Sequence, residues 1–288
     1  MLQLGTLLAL ACALTTNIAL LCKHRGAVAA PAVRLSHPLS SAASLFRSPW
    51  WTIGFAVAFG AWILHVAALA VAPLSLVETT ISGGLVMLAW CAQRWFGVRV
   101  GPREWVGLGL CAAGLALLGA TSATSAHDAS STYSTEAMIS FEAAVVGIGL
   151  LLLVSSAIDP GRGSRGALLG AASGLLLGVA NVSIKALTGT VPGDPASIIG
   201  PWTLVALIAG IGAFFALARG FQTGEAIPVI ALIAVAANCV SVVGGILVFG
   251  DPVGSDPLAI VARCIAFAAV IVAAALTPAP LRPAPART

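Results

Sequence analysis

Runs of about twenty apolar residues, separated by short polar connections, recur from one end of the chain to the other. They cover approximately positions 2–22, 50–71, 74–95, 105–121, 140–157, 166–187, 198–218, 225–249 and 257–277. About 20 apolar residues in helical form cross the hydrocarbon of a bilayer, so each run predicts one spanning helix. The runs are too long for strands and show no two-residue alternation. The expected fold class is therefore all-α: a polytopic membrane protein with about nine transmembrane helices. Composition agrees, since 59% of residues are hydrophobic and only 8% charged. A soluble domain of this length needs far more charge to cover its surface.

Charge placement predicts the orientation. Lys23, Arg25, Arg34 and Arg47 fall in the first connection, and Arg94, Arg99 and Arg103 in the third. Arg162 and Arg165 fall in the fifth, Arg219 in the seventh, and Arg282 and Arg287 in the tail. The second, fourth, sixth and eighth connections hold no Lys or Arg; they carry acids (Asp128, Glu136, Asp194, Asp251 and Asp256) or no charge at all. By the positive-inside rule the N-terminus is outside and the C-terminus inside. The first run has no basic segment ahead of it and Lys23, His24 and Arg25 directly after, so a retained span is expected rather than a cleaved signal. The longer connections, 24–49 and 122–139, are expected to be solvated or interfacial, with His37 and His127 as loop residues. The Pro-rich end after 277 is expected to be extended.

The order of the runs predicts an internal repeat. Spans one to four include Pro49-Trp50 and a hairpin at Pro73; spans six to nine include Pro201-Trp202 and a turn at Gly224. A lone fifth span between two four-span units inverts the second, giving a 4+1+4 inverted repeat. The expected division is 1–121 for the first repeat, 122–165 for the external loop and linker helix, 166–280 for the second repeat and 281–288 for a cytoplasmic tail. Secondary transporters are built this way, with the binding site between the halves near mid-membrane.

Polar groups inside hydrocarbon are costly and so carry information. At about 1.5 Å per residue, Glu78 lies about 6 Å below the outer end of the third span and Arg263 about 10 Å below that of the ninth, while Lys185 lies less than one turn below that of the sixth. His65 lies in the same outer half, Asn181 and Ser183 share that level, Asn238 is central, and Asn17 lies nearer the inside. One reading is a polar chamber open to the outside with Glu78 and Arg263 as its charged pair. The other is an ion pair that only joins two helices. Lys185 can also snorkel to the surface, and His65 fits a structural histidine. Glu225 and Arg219 fit an interfacial pair. Pro73, Gly224 and Pro228 mark helix breaks: Pro228 cannot donate to the carbonyl of Gly224 and should loosen the eighth span one turn in. The many glycines, including those from Gly170 to Gly178, fit close helix packing.

Six cysteines lie in or beside apolar runs without metal-ligand spacing, so small packing residues are expected, and neither a metal site nor a cofactor is implied. Basic patches interleaved with aromatics are missing from the sequence, which argues against nucleic acid as a partner. Paired catalytic carboxylates, a phosphate loop and a nucleophile-base pair are likewise missing, so an enzyme is not expected. Two lysines against twelve arginines, with abundant Ala and Gly, point to a bacterial source.

Trp50-Trp51 with Gly54, then "AVAPLSLVET", "VANVSIKAL" and "FQTGEAIP", in that order, resemble the drug/metabolite transporter superfamily. The likeness is to EamA-like permeases and the nine-span branch that includes NIPA-like magnesium transporters. Phe221, Thr223 and Pro228 match the family's second hairpin, and Lys185 its lysine after the sixth span's Ser/Val stretch. In the first hairpin Glu78 and Thr79 stand where the family has Thr/Gln and Pro. The resemblance implies a carrier in the cytoplasmic membrane that works by alternating access without ATP. The expected function is secondary transport of a small organic metabolite or drug-like compound, with proton coupling through Glu78. Magnesium or another divalent cation is the alternative, although one acid beside Arg263 and Lys185 makes a poor cage for it. A non-transporting scaffold for envelope assembly is the alternative from another class. The implied partners are the lipid bilayer and the substrate, with a homodimer as a candidate assembly.

Overall fold

A computed structural model describes residues 2–34, 37–71, 80–81, 84–97, 101–123, 133–158, 162–190 and 198–250, with 261–262, 265–266 and 269. The described residues form nine helices: α1 (Leu2–Ala29), α2 (Pro38–Phe46), α3 (Pro49–Val71), α4 (Leu85–Phe96), α5 (Pro102–Ala123), α6 (Thr135–Ile158), α7 (Arg162–Thr190), α8 (Pro201–Thr223) and α9 (Ala226–Phe249). No strand occurs among them. Five helices of the described residues are long and apolar enough to cross a membrane: Gln3–Ala29, Thr135–Ile158, Ser164–Leu187, Pro201–Thr223 and Ala226–Phe249. The protein is all-helical, with the helices of a polytopic membrane protein. Most of the expected ninth span, and the tail, lie outside the described residues.

Local chemistry sets the helix ends. Prolines open α2, α3, α5 and α8, where a first-turn N–H has no helical acceptor to lose. Gly97 and Gly250, both with φ of +66°, close α4 and α9 in the left-handed conformation that favours glycine. Three boundaries differ from the sequence expectation. α1 continues through Lys23–Arg25 to Ala29. The first connection is not simply solvated, because α2 lies within it and buries Ser41 and Leu45. α6 starts at Thr135, inside the expected external loop, and buries Met138.

Close contacts fix relative directions. α1 and α3 are antiparallel: Gly26 lies on the Trp51 backbone, and the Cys12 thiol bonds the Ala61 carbonyl at 3.3 Å. α7 and α8 are antiparallel too, with the Ser173 hydroxyl donating to the Ala213 carbonyl at 2.9 Å. α6 runs against α7, Gly149 facing Leu176. α7 and α9 are parallel, because Gly170, Gly174 and Gly178 meet Val229, Ile233 and Val240 in ascending order. A Cβ on Gly174 would lie 2.5 Å from the Ile233 carbonyl oxygen, so only glycine allows this approach. The most intimate helix pairs are α1 with α3 and α7 with α8.

These directions bring the ends of α1, α4, α6 and α8 to one end of the bundle with the starts of α3, α5, α7 and α9. Lys23, Arg25, Arg34, Arg47, Arg94, Arg103, Arg162, Arg165 and Arg219 all belong to it. We call it the basic end; among the described residues Lys185 is the one Lys or Arg toward the opposite, far end. Phe59, Trp62 and Ile63 on α3, Ile148, Leu151 and Val154 on α6, and Leu204, Leu207 and Ile208 on α8 are exposed apolar side chains of the kind lipid covers.

Candidate functional site

At the basic end two groups of helices, α1–α5 before α6 and α7–α9 after it, meet through one side chain and an aromatic cluster. Among the last carbonyls of α1, that of Ala27 accepts the Ala30 N–H at 3.3 Å and can still take a second donor. Gln222, near the end of α8, supplies one: its amide nitrogen donates to the carbonyls of Ala27 and Pro31, both at 3.0 Å. Its amide oxygen accepts the Val33 N–H at 2.9 Å. One amide therefore uses its donors and its acceptor to hold the turn that follows α1. Beside it, His24 of α1 meets Phe221 of α8 edge-on at 5.3 Å. Phe214 of α8 contacts Phe46 of α2 at 6.3 Å, and Trp51 and Phe55 of α3 at 5.7 and 6.0 Å. Lys23 lies over the Phe55 ring at 4.1 Å, and Arg25 over Trp50 at 4.2 Å. An open cleft of about 310 Å³ next to this seam is lined by Leu21, His24, Arg25, Val28 and Phe96.

The turn between α8 and α9 completes this end. Gly224 packs against Gly166 at the start of α7, an approach that leaves no space for a Cβ on either. Glu225 caps α9 through its backbone, and Glu104 is its charged neighbour, so the pair expected with Arg219 is replaced by a like-charged one. Partial burial first, and Glu104 second, push the Glu225 carboxyl above its ordinary value. Glu104 itself accepts the Gly101 N–H at 2.7 Å at the start of α5. Pro228 does not loosen a helix: α9 begins at Ala226, so Pro228 occupies its first turn, where no helical bond is lost. The break lies at Gly224 and Glu225 instead.

Toward the far end, α7 distributes three polar side chains between two neighbours. Ser183 faces α6 and donates from Oγ to Oε1 of Glu142 at 2.5 Å. Asn181 faces α9 and donates to the Ser241 hydroxyl at 3.3 Å. Lys185 also faces α9, its ammonium 4.4 Å from the Phe249 ring centroid. Tyr133, Trp202 and Phe249 cluster around this end, with ring centroids 5.8 to 5.9 Å apart. Asn181, Ser183 and Lys185 thus share one stretch of α7 but divide between two neighbouring helices, Ser183 toward α6 and the other two toward α9.

The other expected site residues fall elsewhere. Asn238 donates to the Ala234 carbonyl of its own helix at 2.8 Å and joins no second element through that bond. His65 lies on α3, partly buried. Asn17 is buried and donates to the Gly84 carbonyl at 2.7 Å, tying α1 to the start of α4. Pro73, Glu78, Thr79 and Arg263 lie outside the described residues. Two residues that the sequence does not single out make key bonds at opposite ends of the bundle, Gln222 at the basic end and Glu142 toward the far end. Glu142 had a legible signal, a carboxylate about 10 Å along an apolar helix from its first residue. Gln222 had none, because its partners are 189 and 195 positions away. Comparison with family models, curated proteins and solved structures finds no match to this chain.

Proposed function

We propose that the chain is a secondary transporter, a permease that carries a small organic metabolite or drug-like compound across the cytoplasmic membrane by alternating access. On this reading the helices belong to a nine-span, 4+1+4 inverted repeat with the N-terminus outside and the C-terminus inside. The basic end then faces the cytoplasm. The observation that carries the reading is the seam at that end. One glutamine and one aromatic cluster join the two helix groups there, while Asn181, Ser183, Lys185 and Glu142 gather toward the far end. A carrier closed on one side needs such a seal, and one able to open must release it through a few contacts. The equivalent pairing of α1 with α3 and of α7 with α8 supports the repeat.

Two measurements test this. Purified protein in liposomes, challenged with a metabolite and metal panel with and without a pH gradient, moves at least one organic compound. Transport of none overturns the reading, and movement of Mg²⁺ alone replaces it with the cation alternative. Gln222→Ala removes three hydrogen bonds worth about 1 kcal/mol each, so amide exchange at Val33 accelerates by at least about tenfold. Unchanged exchange would show that the clasp does not hold the seam.

A further inference from the structure

We propose that Glu142 is a proton-binding site of this protein, neutral in the arrangement seen here, with Ser183 as the hydroxyl that holds it. The inference deepens the transport reading and rests on it only for the coupling of proton to substrate.

Glu142 is 5% exposed and Ser183 fully buried. The carboxyl sits in the buried stripe of α6, Met138, Glu142, Val145 and Gly149, between two turns of apolar contact. α6 packs on α7 and α9, so a charge that balanced an ionised carboxylate would have to come from one of them or from α6 itself. From α7 the facing group is the Ser183 hydroxyl, and Lys185, two residues on, is directed at Phe249 of α9. α9 carries no Asp, Glu, Lys, Arg or His between Ala226 and Phe249; its Cys239 lies near Cys111 of α5. At this level α9 presents Gly244 against Phe141 and Val182. On α6 itself the other acid is Glu136, exposed in the first turn, and Tyr133 precedes the helix and packs on Trp202 and Phe249. Among the described residues Glu142 thus has one neutral donor and no cation. A charge withdrawn from water without a countercharge is far more costly than a neutral carboxyl with one hydrogen bond.

The placement gives the proton a use. α6 joins the two helix groups in sequence, and the Glu142 contact lies between it and α7. Separation of α6 from α7 would wet the carboxyl. Release then breaks one O–H bond of the acid, leaves the carboxylate and passes the proton to water. Uptake on reclosure reverses this, so occupancy by a proton is linked to the closed contact.

Infrared spectroscopy of the full chain in lipid nanodiscs at pH 7 reads the C=O stretch of neutral carboxylic acids. Wild type and Glu136→Gln retain a band that Glu142→Gln loses, by one carboxyl equivalent per chain. Ser183→Ala keeps the band and shifts its frequency, because Oε1 loses its donor. If neither variant alters the neutral-carboxyl region at pH 7, Glu142 is ionised and the proposal is overturned, whatever the transport assays give. If the band behaves as expected and no compound in the panel is transported, the proton site stands and the permease reading falls. In liposomes loaded with a pH-sensitive dye, Glu142→Gln abolishes substrate-driven proton movement. Proton movement undiminished in that variant overturns the coupling role.

Discussion

Glu225 shows how one side chain can work against the arrangement around it. Folding takes its carboxyl only partly out of water and sets it next to Glu104, so the charged form is disfavoured in the native state. The native state then binds more protons than the unfolded chain, and stability falls as pH rises through the interval between the two titrations. The penalty is absent below the ordinary value of 4.5 and complete above the raised one. Glu225→Gln therefore raises the thermal midpoint at pH 7, and the gain vanishes at pH 4. Solvent screens the exposed carboxyl and its charge also favours the α9 start, so a rise of about 1–2 °C is expected in detergent. A gain that is equal at both pH values would assign the effect to something other than charge. Gln222 illustrates the opposite case: a neutral amide uses both of its ends, and burial then stabilises rather than penalises it.

Helix seams are set by where glycines meet backbone. Gly174 and Gly178 of α7 face α9 with no space for a methyl group, whereas Gly60 of α3 and Gly147 of α6 face nothing within 4 Å. Gly174→Ala forces the Ile233 backbone away and is expected to lower the thermal midpoint by several degrees, at about 1–3 kcal/mol for overpacking. Gly60→Ala and Gly147→Ala are expected to leave it unchanged or raise it slightly, since alanine is the better helix former by about 1 kcal/mol. Equal effects at all three positions would show that the parallel α7–α9 seam is misplaced. The sequence makes the glycines visible but not this difference, because all three lie in similar apolar runs. What separates them is the neighbour, and the neighbour comes from a different helix.

At the scale of the whole molecule, the gathering of nine described basic residues at one end predicts a sidedness. Cysteines placed in turn at Arg47 and Arg165 are expected to react with an impermeant reagent only from the cytoplasmic side in intact cells. A cysteine at Ser134 should react only from the outside. Any other pattern would reverse or break the proposed topology. Much of this scale was legible in the sequence. Apolar length, proline starts, glycine ends and the sorting of Lys and Arg act over a few residues; hydrocarbon admits backbone only as helix or closed barrel, and apolar runs of this length without alternation choose helix. Those local rules determined an all-helical membrane chain. They could not choose partners. The Glu142–Ser183 bond, the Gln222 clasp and the parallel run of α7 beside α9 join positions far apart in the chain, and each depends on which helix faces overlap. Overlap is settled by the shape of many side chains at once, so only the tertiary structure could decide it.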